Sequence, residues 1–303
     1  MTLHAVGKDG DVSTQITPRL EYIDFKLFFT GRVSRADLNA VFGIAEAAAS
    51  RVLTQYATIR PNNKTQKTNT ILRETFVPLC AFDPDEALGM LANGFNRYSR
   101  PVEPDVTSEL IGRIPNQLNL ENVAKITRAI SGHYAISCNY LSENSDNHDT
   151  RILVPLAIMH DGTSWLFRAF DRSESSKPAF KNFHFARVRA VKEELESNEA
   201  KQKSGEVLSQ DTLWNLRLPL VLTLHESLSQ TQRIRVITDF GIDEGKEELY
   251  VTERAAFRWI LEKKWYIDAR SQAQIDEDNQ KGIRRFYKFK LANLATIEQM
   301  ENA

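Results

Sequence analysis

The chain has 303 residues, 42% hydrophobic and 26% charged, with a formal net charge of −1, which is room for two or three domains of ordinary globular composition. No apolar run approaches the ~18 residues needed to cross a bilayer, and the opening MTLHAVGKDGDVSTQ lacks the apolar core of a secretory signal, so a cytoplasmic location is expected. Cys80 and Cys138 match no metal or redox spacing and read as reduced, buried thiols. The charge is unevenly spread: Pro18 to Thr75 holds nine basic and five acidic residues, a local excess of four that suits a DNA-facing end.

Pro18 can open a helix, and RLEYIDFKLFF carries apolar residues at close to helical period before Gly31 ends it. Ser34 is placed to cap a second short helix, RADLNAVF, which stops at Gly43. A third helix is predicted over Glu46 to Ala57, with Ala49, Val52, Leu53 and Tyr56 on one face. Beyond it lies a polar tip around Asn62, Asn63 and Lys64, and the flanks Ala57–Ile59 and Thr70–Leu72 are expected to pair as a hairpin. Helix, helix, glycine turn, helix, hairpin is the order of a winged helix-turn-helix.

Residues 84–130 read as helical connectors, DEALGMLANGF and LENVAKITRAISG, separated by a break holding Pro101, Pro104 and Pro115. Strands follow: HYAISCNYL, TRILVPLAIM, SWLFRAF and NFHFARVRAV, with polar turns that include the Asp161-Gly162 hairpin signal. Short strands this close together suggest a small barrel. The charged stretch KEELESNEAKQKSGE marks a second boundary near residue 200. After it come a strand (LPLVLTLHE), a helix around Gln230–Phe240, a strand (ELYVTE) and a helix (AAFRWILEKKW), a small α/β module.

Three blocks in this order, RLEYIDFKLFFTGRVSRADLNAVFGI, then ISCNYLS with TRILVPLAIMHDGTSWLFRAFD and FKNFHFARV, then LPLVLTLHESLSQTQRIRVITDFGI, resemble the WYL-domain transcriptional regulators. Within them the chain is most similar to the BrxR/CapW repressors that sit beside phage-defence (BREX and CBASS) operons. The name-giving Trp-Tyr-Leu stands here as Trp165-Leu166-Phe167, and the third helix opens unusually rich in alanine. The resemblance implies an α+β chain: a winged helix-turn-helix with its connector over 1–115, a WYL barrel of SH3/Sm-like type over 116–203, and a C-terminal α/β extension that dimerises over 204–303.

Ser50, Arg51, Thr54 and Gln55 lie off the apolar stripe of the third helix, where Arg can bond guanine and Gln adenine in a major groove. Ser34 and Arg35 suit phosphate contacts, and Asn62, Asn63, Lys64 and Lys67 belong to the wing. In the barrel, Tyr140, Ser142, Arg151, Arg168, Lys181 and Arg187 sit in or at the ends of strands. Arginines beside aromatic residues suit a nucleotide, guanidinium for phosphate and ring for base. The alternative for Arg168 and Arg187 is a structural ion pair with Asp171 or Glu193. The resemblance implicates Tyr140, Ser142, Arg151, Lys181 and Arg187 first, for a nucleotide, cyclic oligonucleotide or single-stranded nucleic-acid effector.

Catalysis, cofactors and metals are not expected. The six histidines show no HExxH spacing, and His160-Asp161 with Ser164 reads as a turn between strands, with no nucleophile elbow. Glu262-Lys263-Lys264 falls in an amphipathic helix, where charges face solvent. The expected function is a repressor that binds an inverted-repeat operator as a homodimer and is released by an effector. The alternatives are a WYL-type activator, or a single-stranded nucleic-acid-binding accessory protein whose main site is the barrel.

Overall fold

The computed structural model describes residues 16–95, 117–142, 150–173, 179–195, 198–243 and 245–302. The chain divides into two compact units, Met1–Glu206 and Val207–Ala303. The proline break at 101–115 and the turns at 143–149 and 174–178 lie outside the described residues.

In the first unit, α1 (Pro18–Thr30) starts at Pro18, whose missing N–H costs nothing at that position, and ends on Gly31 at φ +78°. It buries Leu20, Tyr22, Ile23, Asp24, Phe25, Leu27 and Phe29, nearly all round the helix, because α3 (Glu46–Ile59) packs on one side and α5 (Leu120–Gly132) on another. Phe25, Phe29, Phe82 and Phe95 meet tilted or edge to face at centroid separations of 5.0 to 5.9 Å. Helix α2 (Arg35–Phe42) is held at its start by a capping box, Ser34 with Asp37, and closed by Gly43 at φ +63°.

The wing departs from the sequence expectation. Ala57–Ile59, expected as the first hairpin arm, is the last turn of α3, which stops where Pro61 removes a backbone donor. The arms lie further on. Thr65 N–H donates to the Thr70 carbonyl (2.8 Å) and Leu72 N–H to the Asn63 carbonyl (2.9 Å), and Arg32, just ahead of α2, bridges to Thr70.

After α4 (Pro84–Asn93) and α5, five antiparallel strands form one sheet in the order β4-β3-β2-β1-β5, the order of an SH3/Sm-like small barrel. They are β1 (Ile136–Tyr140), β2 (Thr150–His160), β3 (Trp165–Asp171), β4 (Phe180–His184) and β5 (Val188–Glu193). NFHFARVRAV, expected as a single strand, is broken by a 3₁₀ turn at Phe185–Arg187. The break has a topological reason: β4 and β5 lie at opposite edges of the sheet, so the chain must turn between them.

Winged helix and barrel share one continuous apolar core, from Leu20 through Phe95 to Val123, Phe167 and Val191. A buried ion pair sits at their junction. Arg128 on α5 donates from Nε and Nη2 to the two Glu193 oxygens (3.0 and 2.7 Å), and from Nη1 to the Phe28 carbonyl of α1 (2.8 Å). The Tyr134 hydroxyl donates to Glu193 (2.6 Å), and Arg73, past the wing, reaches both. Burial opposes ionisation of Glu193, but the bonds and charge of Arg128, with Tyr134 and Arg73, outweigh it and hold the carboxyl below its usual range. On the barrel's other flank, Trp165 donates from Nε1 to Asp85 of α4 (2.6 Å).

The second unit has a mixed sheet in the order β7-β6-β9-β8, in which only β8 and β9 run parallel. Its elements are α6 (Thr212–Asn215), β6 (Arg217–Leu224), α7 (Gln230–Phe240), β7 (Glu248–Arg254), α8 (Arg258–Trp265), β8 (Ile267–Asp268), α9 (Gln272–Gln280), β9 (Phe289–Leu291) and α10 (Leu294–Asn302). Leu218, Leu220, Leu222 and Leu224 alternate into its core beside Val236, Phe289 and Ile297. No helix among the described residues is long and apolar enough to cross a membrane.

Arg128→Ala should strip the partner from a buried carboxylate and from the Phe28 carbonyl at once. The expected loss is about 3–5 kcal/mol in urea unfolding of the full chain. The Arg128→Ala/Glu193→Ala pair should lose less than the sum of the single changes, as groups in one network do.

Candidate nucleic-acid interface

Three elements converge on one cleft of about 530 Å³, lined by Arg35 of α2, Ser50, Leu53, Thr54 and Ala57 of α3, and Lys64, Gln66, Lys67 and Asn69 of the wing. Five of the ten residues expected to face DNA, Arg35, Ser50, Thr54, Lys64 and Lys67, therefore line it together. Arg51, Gln55 and Asn62 are exposed outside it, the first two on α3. Ala45, ahead of α3, provides no side-chain cap; Ala48 N–H bonds the Ala45 carbonyl (2.9 Å), and Glu46 stands in the first turn.

Two expected contacts are spent elsewhere. Asn63 is 2% exposed; its amide donates to the Tyr56 hydroxyl (2.9 Å) and the Val77 carbonyl (2.8 Å), and its oxygen accepts from Val77 N–H (2.9 Å). It is bonded into the frame of the wing. Ser34 exchanges hydrogen bonds with Asp37 (2.7, 2.8 and 3.1 Å) to cap α2. Lys64 is largely buried, with its ammonium on the Asn69 side chain (2.8 Å), and burial lowers its pKa. Gln66 and Asn69 were not expected; their only sequence signal is membership of the polar wing tip.

What orients α3 is a buried carboxylate. Asp24, 0% exposed in the middle of α1, accepts from the Tyr56 hydroxyl (2.5 Å), Leu79 N–H (2.7 Å) and Cys80 N–H (3.0 Å). With Asn63 this joins α1, α3, the wing arm and the segment beyond it. Desolvation raises the Asp24 carboxyl from 3.8 to about 6, against the opposing pull of Tyr56 and the two backbone donors.

On the barrel, the ladder puts Tyr140, Arg151, Asp171 and Lys181 on one face, since Cys138 pairs with Arg151, Leu153 with Asp171 and Ala169 with Lys181. Arg151 donates to the Asp171 carboxylate at 2.6 Å and Lys181 lies 3.9 Å from it, two cations on one buried anion. Arg168 pairs with Ala157 and Asn182 and so belongs to the opposite face, where it is 3% exposed and donates to Asn182 (2.9 Å). Ser142 lies just past β1, and Arg187 is in the 3₁₀ turn, its carbonyl accepting from Leu141 N–H (3.1 Å). The acids named as alternative ion-pair partners take other cations: Asp171 takes Arg151 and Lys181, Glu193 takes Arg128 and Arg73. Leu166, where the family name has Tyr, is fully buried.

Residues 15–91 match the BrxR transcriptional regulator winged helix-turn-helix domain, and residues 121–193 match the WYL domain. The chain therefore pairs a region similar to a BrxR-type winged helix with a region similar to a WYL domain. It is similar to proteins described as DNA-binding transcriptional repressor CapW: 27% identical to that of Pseudomonas aeruginosa over 80% of each chain, and 26% to that of Stenotrophomonas maltophilia over 88% of this chain and 91% of that one. The Escherichia coli protein of the same description is 24% identical over 76% of this chain and 77% of its own.

Because the folded pKa of Asp24 lies above the ordinary one, its proton stabilises the fold. That contribution is complete below the ordinary value of 3.8 and is lost as pH rises through about 6. Asp24→Asn should flatten the stability profile of the full chain across this window in chemical denaturation. Tyr56→Phe should cost about 1–3 kcal/mol by leaving Asp24 and Asn63 short of a partner.

Proposed function

We propose that the protein is a DNA-binding transcriptional repressor. The observation that carries the reading is the cleft between α3 and the wing, with Ser50 and Thr54 inside it, Arg35, Lys64 and Lys67 around it, and Arg51 and Gln55 exposed beside it. A helix of this kind lies in a major groove while the wing meets the flanking backbone. Arg51 and Gln55 would read base edges, and Arg35 and Lys67 would meet phosphates. The description of the similar CapW proteins as DNA-binding transcriptional repressors supports the sign.

The finer mechanism belongs to the same proposal. A homodimer would bring two such helices to an inverted repeat with half-sites about 34–36 Å apart, with the C-terminal unit as the dimerising part. The promoter would be that of its own phage-defence operon, and occupancy would block transcription. The two cations gathered on Asp171, with Tyr140 on the same face and Ser142 and Arg187 nearby, would take an anionic effector of nucleotide type. Such an effector releases DNA only by binding the released state more tightly than the DNA-bound one.

The test is a fluorescence titration of the full chain, at fixed salt, against duplex DNA from upstream of its gene, with a scrambled duplex as competitor. Specific binding with dimer stoichiometry is expected, and Arg51→Ala should cost about 1–3 kcal/mol and relax specificity at one base pair. Equal affinity for the scrambled duplex would overturn the reading. A nucleotide that weakens operator binding by the wild type but not by Arg151→Gln would support the effector half. If saturating nucleotides never change operator affinity, that half is lost and the repressor half stands.

A further inference from the structure

The second unit carries exposed aromatic surface that the proposed function does not use. Tyr266 is 49% and Phe286 54% exposed, and their rings meet edge to face at 5.7 Å. They come from different places, Tyr266 from the end of α8 and Phe286 from the irregular segment before β9. The Tyr266 carbonyl accepts from Lys288 N–H (2.8 Å), which keeps the two segments side by side. The Lys288 ammonium lies 5.8 Å from the Tyr266 ring and 5.3 Å from that of Phe240. Further back on α8, Lys263 lies over Trp259, itself 40% exposed.

Two observations set this patch apart from incidental exposure. First, Tyr266 has φ +54°, a left-handed conformation that a bulky side chain adopts at a cost. Half-exposed, the ring recovers little of that cost by burial, and glycine would do the capping better. Second, Lys281 to Lys290 holds Lys281, Arg284, Arg285, Lys288 and Lys290 and no carboxylate. Lys281 and Arg285 are engaged by Glu277 (2.5 Å) and Asp278 (2.8 Å) of α9, and Lys290 lies 3.9 Å from Glu226. Arg284 is exposed, and Lys288 faces rings instead of a carboxylate.

We propose that Tyr266 and Phe286, with Arg284 and Lys288 beside them, form a stacking platform for single-stranded nucleic acid. Half-exposed rings among cations match the two chemistries of an unpaired strand, base faces and phosphates. A duplex hides its base faces in the stack and would use only the cations. An acidic peptide would likewise use the cations and leave the rings idle. The platform is separate in sequence and in structural unit from both the winged helix and the Asp171 cluster.

The experiment is fluorescence anisotropy of a labelled oligothymidylate with the full-length protein, alongside an operator-length duplex at the same salt. Phe286→Ala and Tyr266→Gly should each weaken oligothymidylate binding about 5- to 150-fold. Tyr266→Gly should leave Tm unchanged or raise it, since glycine accepts this φ freely. Arg284→Gln and Lys288→Gln should each reduce the salt slope by about 0.7. Duplex binding should be unaffected by the two ring variants, so a failure of operator recognition is seen separately. Unaltered oligothymidylate affinity in both ring variants, or loss only in Arg151→Gln, would overturn the platform, as would no binding by the wild type. A changed sedimentation coefficient in the ring variants with unchanged oligothymidylate affinity would make the patch a contact between copies and overturn it too.

Discussion

A single carboxylate inside the winged helix governs how its outer face is presented. Asp24 has no place in an apolar core unless its lone pairs are used, and three donors from two other parts of the chain use them. One donor is Tyr56, next in sequence to Gln55. A hydrophobic contact at that position would tolerate rotation of α3 about its axis; a hydrogen bond to a fixed oxygen does not. The direction in which Arg51, Thr54 and Gln55 point is thus set from the buried side. Asn63 carries the same constraint into the wing, so helix and wing are referred to one point.

The barrel stands in a similar relation to the winged helix. Glu193 closes β5 at the edge of the sheet, and its partner Arg128 also holds the carbonyl of Phe28 near the end of α1. A displacement of that edge strand therefore acts on the helix that bears Asp24. Contact of this kind is what coupling between two sites requires physically.

Much of this was legible in the sequence. Pro18, Gly31, Ser34 and Gly43 bound the first two helices by capping chemistry alone, and the strands announce themselves by branched and aromatic residues between polar turns. The errors have common causes. Ala57–Ile59 looked like strand because Thr58 and Ile59 suit either state, whereas the helix runs through both and closes with Arg60 N–H on the Tyr56 carbonyl (2.8 Å). Asn63 looked like wing surface because a polar residue in a polar run gives no sign of a partner 14 residues on. The barrel cations were named as one group, but strand register puts Arg168 on the opposite face from Arg151, and register is not written locally. Helix α9 was missed since it buries only Asp278 and has no apolar period to detect.

The shared core has a consequence for modularity. Winged helix and barrel are matched as separate domains, yet Leu20, Phe25, Ile126, Phe167 and Val191 belong to one apolar interior. Cutting between them would expose Arg128, Glu193 and much of α5 to water, and a winged helix moved onto a foreign barrel would have to find a new partner for the end of α1. The natural joint for exchange lies instead after Glu206, where one compact unit ends and the next begins. Lineages that recombine such regulators would therefore be expected to trade DNA-reading head and barrel together, and to vary the C-terminal unit on its own.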